Sequence, residues 1–176
     1  MIQLIGTFKN ESGIMLIADP ITDSARESGN IPDIICIKGT WYADVSYDKD
    51  LQLVEELTIR SGFTEECKSD VSVERIICVS GQIGVYDQPF FRDQLFVEEF
   101  SKNEKFMLVP KDPWYSANCK LTTKDKLGGV FKFGCVSRDA TFGGSYIVEL
   151  FKNSESIMHY IRIHVFDPQN YDGSEE

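Results

Sequence analysis

Hydrophobic and polar residues alternate with a period of two over most of the chain, the pattern of strands that bury one face and wet the other. The alternation is cleanest from residue 41, where Trp41, Ala43, Val45 and Tyr47 share one face and Tyr42, Asp44 and Ser46 the other. After the turn-forming Asp48-Lys49-Asp50, Leu51, Leu53, Leu57 and Ile59 stand opposite Gln52, Glu56, Thr58 and Arg60. Residues 41 to 60 therefore predict a hairpin, with a helix over 51 to 59 as the competing element.

Shorter apolar runs flank it. Residues 2 to 8 and 14 to 18 predict strands joined through Asn10-Glu11-Ser12-Gly13, the second ending at Asp19-Pro20. Residues 21 to 31 are polar and rich in turn formers, so an exposed loop is expected before a short buried strand at 34 to 37. A polar connection, 61 to 72, leads to a strand at 73 to 79 and the turn Ser80-Gly81-Gln82. Here the chain echoes itself. Ser12-Gly13 precedes Asp19 as Ser80-Gly81 precedes Asp87, with 68 positions between the copies (12 to 80, 19 to 87). The echo predicts either two related loops flanking a cleft or the ordinary abundance of Ser, Gly and Asp at strand ends.

Beyond Asp87 the period changes. Pro89 stands where a first helical residue would, Asp87 or Gln88 can cap, and Phe91, Leu95, Phe96 and Phe100 recur at helical intervals, so a helix is expected over 89 to 101. Its aromatic stripe reads as a face for the core. A short strand at 106 to 109 and a Pro-rich loop carrying Trp114 and Tyr115 follow. Residues 129 to 137, 146 to 150 and 157 to 166 then predict an antiparallel meander, with Phe131, Phe133 and Cys135 on one face of its first strand. The end, 167 to 176, is acidic and poor in apolar residues, and predicts a frayed tail behind a single domain at 1 to 166.

The length of 176 residues suits one domain with its own core, and 42% hydrophobic with 12% aromatic residues marks a globular chain. The net charge of -10 repels phosphate backbones and anionic lipid, so neither nucleic acid nor membrane is an expected partner. Five scattered cysteines, Cys36, Cys67, Cys78, Cys119 and Cys135, lack CxxC spacing and mostly sit among β-branched residues. They read as reduced thiols rather than as a zinc site, and no cofactor is expected. With no run of eighteen apolar residues and no basic segment leading into an apolar one, a cytoplasmic location is expected.

His159 and His164, the two histidines, point to opposite faces of their strand, and His159 shares a face with Ile157, Ile161 and Ile163. No GxSxG motif assigns a base to Ser80 or Ser137, so hydrolase chemistry has no support and no catalytic residue is expected. The loop from Ser137 to Tyr146 is the most site-like stretch, since Gly143 and Gly144 permit close backbone approach and Arg138 and Asp139 offer opposite charges. It reads either as a seat for a small anionic ligand or as a long hairpin connection. It is not a P-loop, because GxxxxGK[ST] is absent.

The segment SGQIGVYD with its aromatics, taken together with GGVFKFGCVSRDATFGGSYIVELFKN, resembles an uncharacterised family of bacterial and phage proteins. That family carries an S-G-Q-x-G-x-x-D segment and a later V-S-S-S-G-x-G-D-G-S-Y segment. The resemblance spans much of residues 78 to 166. In the later segment Arg138, Asp139, Ala140 and Gly143 stand where the family has Ser, Ser, Gly and Asp, so no role of the family aspartate carries over. The resemblance implies a β-rich fold and a bacterial or phage setting.

The expected fold is mainly β: an antiparallel β-sandwich or partly open barrel with one packed helix near residues 89 to 101. The expected function is that of a non-enzymatic acidic binding protein, an inhibitor, immunity or anti-defence factor that occludes a protein partner. The alternative is a protein that binds or sequesters a small, nucleotide-like ligand. The residues expected to serve such a ligand are Gln82, Asp87, Arg138, Asp139, Gly143, Gly144 and Tyr146. Trp114 and Tyr115 are expected to contact a partner if exposed.

Overall fold

The computed structural model describes residues 1–49, 53–62, 70–93, 112–123, 126–138 and 143–165. The described residues form eleven strands in two antiparallel sheets. In chain order they are β1 (Ile2–Asn10), β2 (Ile14–Ala18), β3 (Ile31–Ile35), β4 (Gly39–Asp48), β5 (Leu53–Ser61), β6 (Asp70–Cys78), β7 (Gln82–Asp87), β8 (Gly128–Phe131), β9 (Gly134–Arg138), β10 (Gly144–Lys152) and β11 (Met158–His164). The six-stranded sheet runs β1-β4-β5-β11-β10-β6 and the five-stranded sheet β3-β2-β7-β9-β8.

Alternation sets the two faces of each strand as the sequence predicts. On β4, Trp41, Ala43 and Val45 are buried while Tyr42, Asp44 and Ser46 stay half-exposed, and β5 pairs with it in antiparallel register. Over the described part, 53 to 59, the helix considered for residues 51 to 59 is thereby excluded. Phe8, Trp41, Ile59, Ile76, Val148 and Ile161 meet Met15, Ile17, Ile83 and Val85 from the other sheet in one core. Each fully buried Ile or Met there contributes about 1.5–3 kcal/mol. The sheets do not close into a barrel. Their margins touch through single backbone bonds, Lys9 N to Lys132 O on one side and Ile77 N to Gly29 O on the other.

The architecture repeats itself about a pseudo-twofold axis. It passes between β5 and β11 in one sheet and between β2 and β7 in the other, so that β1-β4-β5 answers β6-β10-β11. The register follows: Phe8 opposite Trp41 recurs as Ile76 opposite Tyr146, and Asn10 opposite Gly39 recurs as Cys78 opposite Gly144. Lys9 and Ile77, the two residues that tie the sheet margins together, are also equivalent positions.

Three elements differ from the sequence reading. Residues expected to open a helix form only a 3-10 turn, Gln88–Phe90, after which Phe91 is extended and Arg92 turns with a φ of 59°. Neither expected cap is left to hold a helix start, because Asp87 is engaged elsewhere and the Gln88 amide exchanges hydrogen bonds with Asp33 at 2.6 and 2.8 Å. Residues 94 to 101 of the expected helix, the expected strand at 106 to 109 and the tail from 167 lie outside the described residues.

The helix that is described, α1 (Pro113–Leu121), falls instead in the segment expected to be a loop. Lys-Asp-Pro reads as a turn, but Asp112 is an N-cap that accepts from Tyr115 N at 2.9 Å, with Pro113 at the first helical position. Residues 129 to 137, expected as one strand, are a tight hairpin, β8 and β9, turning at Lys132-Phe133. Among the described residues no helix is long and apolar enough to cross a membrane.

Candidate functional site

The two Ser-Gly turns are the first place to look, and they serve each other. Asp87, at the end of β7, accepts from Glu11 N at 2.7 Å, Ser12 N at 3.2 Å and the Ser12 hydroxyl. Asp19, at the end of β2, accepts from the equivalent Val79 N at 2.6 Å, Ser80 N at 2.9 Å and the Ser80 hydroxyl. Both carboxylates are buried. Gly13 and Gly81 supply the positive φ, 80° and 76°, that each turn needs. The echo in the sequence is therefore a reciprocal brace, and neither aspartate is offered to solvent.

The residues expected around one ligand are not gathered there. Asp87 lies at one end of β7, beside Phe133, while Gln82 and Arg138 face each other across the opposite end of the β7–β9 ladder. The Tyr146 side chain is buried in the core between the sheets. Gly143, with a φ of 121°, backs onto Cys78 and Val79, and Gly144 pairs with Cys78. Asp139 lies outside the described residues.

Gln82 turns towards α1 instead, donating to Thr122 Oγ1 at 2.7 Å and to Cys119 Sγ at 3.4 Å. Tyr115 meets the same group of side chains through hydrogen bonds to Cys119 and Ser80. Burial, followed by the Cys119 thiol, pushes the Tyr115 phenol up to about 12. Trp114 is buried against Tyr86, Phe91 and Phe131, with its indole N–H on Pro20 O at 3.1 Å. The partner contact expected of it is thus corrected: its ring completes a small second core between α1 and the five-stranded sheet.

The outer face of the six-stranded sheet is different in kind. Its centre is a network of charged and aromatic side chains on β4, β5, β10 and β11. Arg60 holds Asp44 at 2.9 Å and lies over the Tyr42 ring at 4.7 Å. The equivalent diagonal pair is His164 with Glu149 at 2.8 Å, and the second imidazole nitrogen stands 3.7 Å from Glu56. Arg162 lies between them, 3.4 Å from Glu56 and 3.6 Å from Glu149, with its guanidinium over Phe151 and Tyr160. Burial alone would pull the Arg162 guanidinium down. The hydrogen bond and charge of Tyr160, with the charges of Glu56 and Glu149, outweigh that and hold it above its usual value.

Three cationic or titratable bases thus face three carboxylates, and both imidazole nitrogens of His164 already have carboxylate neighbours. Chemically this network orders rings and charges for contact; a nucleophile seeking His164 as a base would have to displace a carboxylate first. Only the exposure of Tyr160, Arg162 and His164 on alternate positions of the last strand could have pointed to it in the sequence. His159, on the other face, is buried, as its apolar neighbours predict.

Both margins of this face carry exposed aliphatic side chains, interrupted by Thr7 and Lys9 on β1 and by Arg75 on β6. Ile2 and Leu4 are exposed on β1, and Val71, Val73 and Ile77 on β6 at 47%, 63% and 53%, more than a lone surface valine or isoleucine needs to explain. Val71 stands opposite Phe151 and Val73 opposite Glu149, so the β6 strip runs directly into the central network.

Fold and face together define a double-sheet antiparallel sandwich whose six-stranded sheet presents a mixed surface of charged, aromatic and aliphatic side chains. The chain matches no family model, no curated protein and no solved structure. Among the described residues no group of His, Cys, Asp and Glu could hold a metal ion.

Proposed function

We propose that the protein is a non-enzymatic binding protein that recognises a protein partner through the outer face of its six-stranded sheet, in the manner of an inhibitor, immunity or anti-defence factor. The observation that carries this reading is the composition of that face: aromatic rings and arginines at the centre, held in place by mutual charge pairs, with exposed aliphatic side chains on both margins. Tyr and Arg are the side chains over-represented among energetically dominant interface positions. A sheet face suits occlusion of a partner better than enclosure of a small molecule, which calls for a concave site. The net charge of -10 favours a basic partner and speeds encounter with it.

The test is affinity capture from bacterial lysate at low and at raised salt, comparing the wild-type protein with Tyr160→Ala and Arg162→Ala. A specific protein retained by the wild type and weakened about tenfold or more by either substitution is expected. No retained protein, or retention indifferent to both substitutions, overturns the reading. A several-degree thermal shift with nucleotides would favour a small ligand instead.

A further inference from the structure

The four strands at the sheet margins are not equally protected against pairing with another chain. Of the two margins of the five-stranded sheet, β8 has only four residues, and β3 has five and contains Pro32. On the six-stranded sheet, β1 is broken by a register shift between Leu4 and Gly6. Shortness, proline and bulges are the devices that blunt an open edge. β6 has none of these three: it runs for nine residues, pairs with β10 without a register shift and contains no proline, and its one outward charge is Arg75.

Among the described residues its outward side is also chemically open along Val71, Val73 and Arg75. Ile77 N points away from β10 to Gly29 O, so with unbroken register the N–H groups of Arg75, Val73 and Val71 point the same way. Among the described residues, Ile77 makes the one backbone bond on that side. The side chains of Val71, Val73 and Ile77 rise from the same residues onto the outer face, where an incoming strand would continue the sheet and lay its own alternate side chains beside them.

We infer that β6 is an acceptor edge, to which an extended segment of a basic partner adds as a seventh strand. This rests on the protein-binding function proposed above and names how the partner is held. The choice of occupant follows from charge. Asp70 and Glu74 lie on β6 against a single cation, Arg75, so the strand is acidic by one charge, and Glu74 is exposed although its position faces the inner side of the sheet. A second copy of the chain would bring two such sets of carboxylates to one edge, whereas lysine or arginine at alternate positions of a partner strand would neutralise them.

The experiment uses the full chain, labelled for amide NMR, and synthetic peptides of the length of β6 in which lysine or glutamate alternates with valine. The lysine peptide is expected to shift the amides of Val71, Val73 and Arg75 and to bind roughly tenfold tighter than the glutamate peptide. Methylation of its alternate backbone nitrogens should abolish binding. Val73→Pro removes one outward N–H; Val73→Lys, which leaves the backbone intact, places a guarding charge there, and either should prevent the shifts while thermal unfolding confirms the fold.

Shifts centred on Arg162 rather than β6, or unchanged binding after methylation, overturn the inference. So does a concentration-dependent dimer that Val73→Lys dissolves, since the occupant would then be a second copy. A partner captured by the wild type, lost with Tyr160→Ala and indifferent to Val73→Lys would sink the edge while leaving the proposed function standing.

Discussion

Asp19 and Asp87 each fasten the turn that leads into the other's strand. Each accepts two backbone N–H bonds and one serine hydroxyl bond from the other copy's turn in a buried setting, Asp19 taking a third N–H from Ile21, and the strands they end lie side by side at the centre of the five-stranded sheet. Bonds of this kind, from neutral donors to a carboxylate shielded from water, are stronger than ordinary surface bonds.

Removing either carboxylate strands its donors. Asp87→Ala and Asp19→Ala are each expected to destabilise by about 3–5 kcal/mol, since several buried donors lose one acceptor at once. Urea unfolding monitored by tryptophan fluorescence measures this. Asp87→Asn, which keeps the shape and one carbonyl oxygen, should cost less than Asp87→Ala; equal costs would show that packing rather than hydrogen bonding matters there.

Gly84 is small because Tyr86 folds back over it. A Cβ at position 84 would stand 2.0 Å from the Tyr86 hydroxyl. That ring cannot retreat: it is buried, hydrogen-bonded to Asn118 at 2.7 Å and packed on Trp114 and Phe91. Gly84→Ala should therefore destabilise by at least about 1–3 kcal/mol and change near-ultraviolet circular dichroism through displacement of the aromatic cluster.

The Tyr86 phenol gives the protein an alkaline limit. Burial, and after it the nearby Cys135, Asp19 and Cys78 groups, raises its ionisation well above the ordinary value. In the unfolded chain it ionises near its usual value of about 10. Above that pH the unfolded state binds fewer protons than the folded state, so the contribution to stability is fully present below about pH 10 and declines as pH rises further. Tyr86→Phe should cost about 1–2 kcal/mol at neutral pH, by leaving Asn118 without its donor, yet flatten the loss of stability between about pH 10 and 11. Denaturant titrations across that range test both signs.

Thiol chemistry separates the described cysteines. Burial, helped by the charge of Asp87, pushes the Cys36 thiol up to about 12, and burial does the same for Cys135. Both stay protonated and shielded at mildly alkaline pH, while Cys119 is half-exposed on α1. Iodoacetamide at about pH 8.5 should alkylate Cys119 and leave Cys36 and Cys135 unmodified until the protein unfolds, as peptide mass spectrometry would show.

The β-sandwich was legible because its strands are amphipathic: Trp41, Ala43 and Val45 against Tyr42, Asp44 and Ser46 leave one reading. The helix over 113 to 121 was missed because its start is locally ambiguous. Asp112-Pro113 serves equally as a turn or as a cap and first helical residue, and what decides is Trp114 meeting Tyr86, a contact between distant parts of the chain. The Ser-Gly and Asp echo was visible as a spacing, but spacing does not say that each aspartate serves the other copy. The outer face was least legible. Arg60, Arg162 and His164 come together through register alone, on strands that a sequence separates by a hundred positions.

The crossed bracing of Asp19 and Asp87 sets an order of events during synthesis. The bend at Ser12 emerges from the ribosome without its keeper and stays unfinished until Asp87 has been added, so the amino-terminal portion has no settled form of its own to adopt early. Cut between the halves, neither fragment should hold its shape alone, and mixing the two should restore what each lacks.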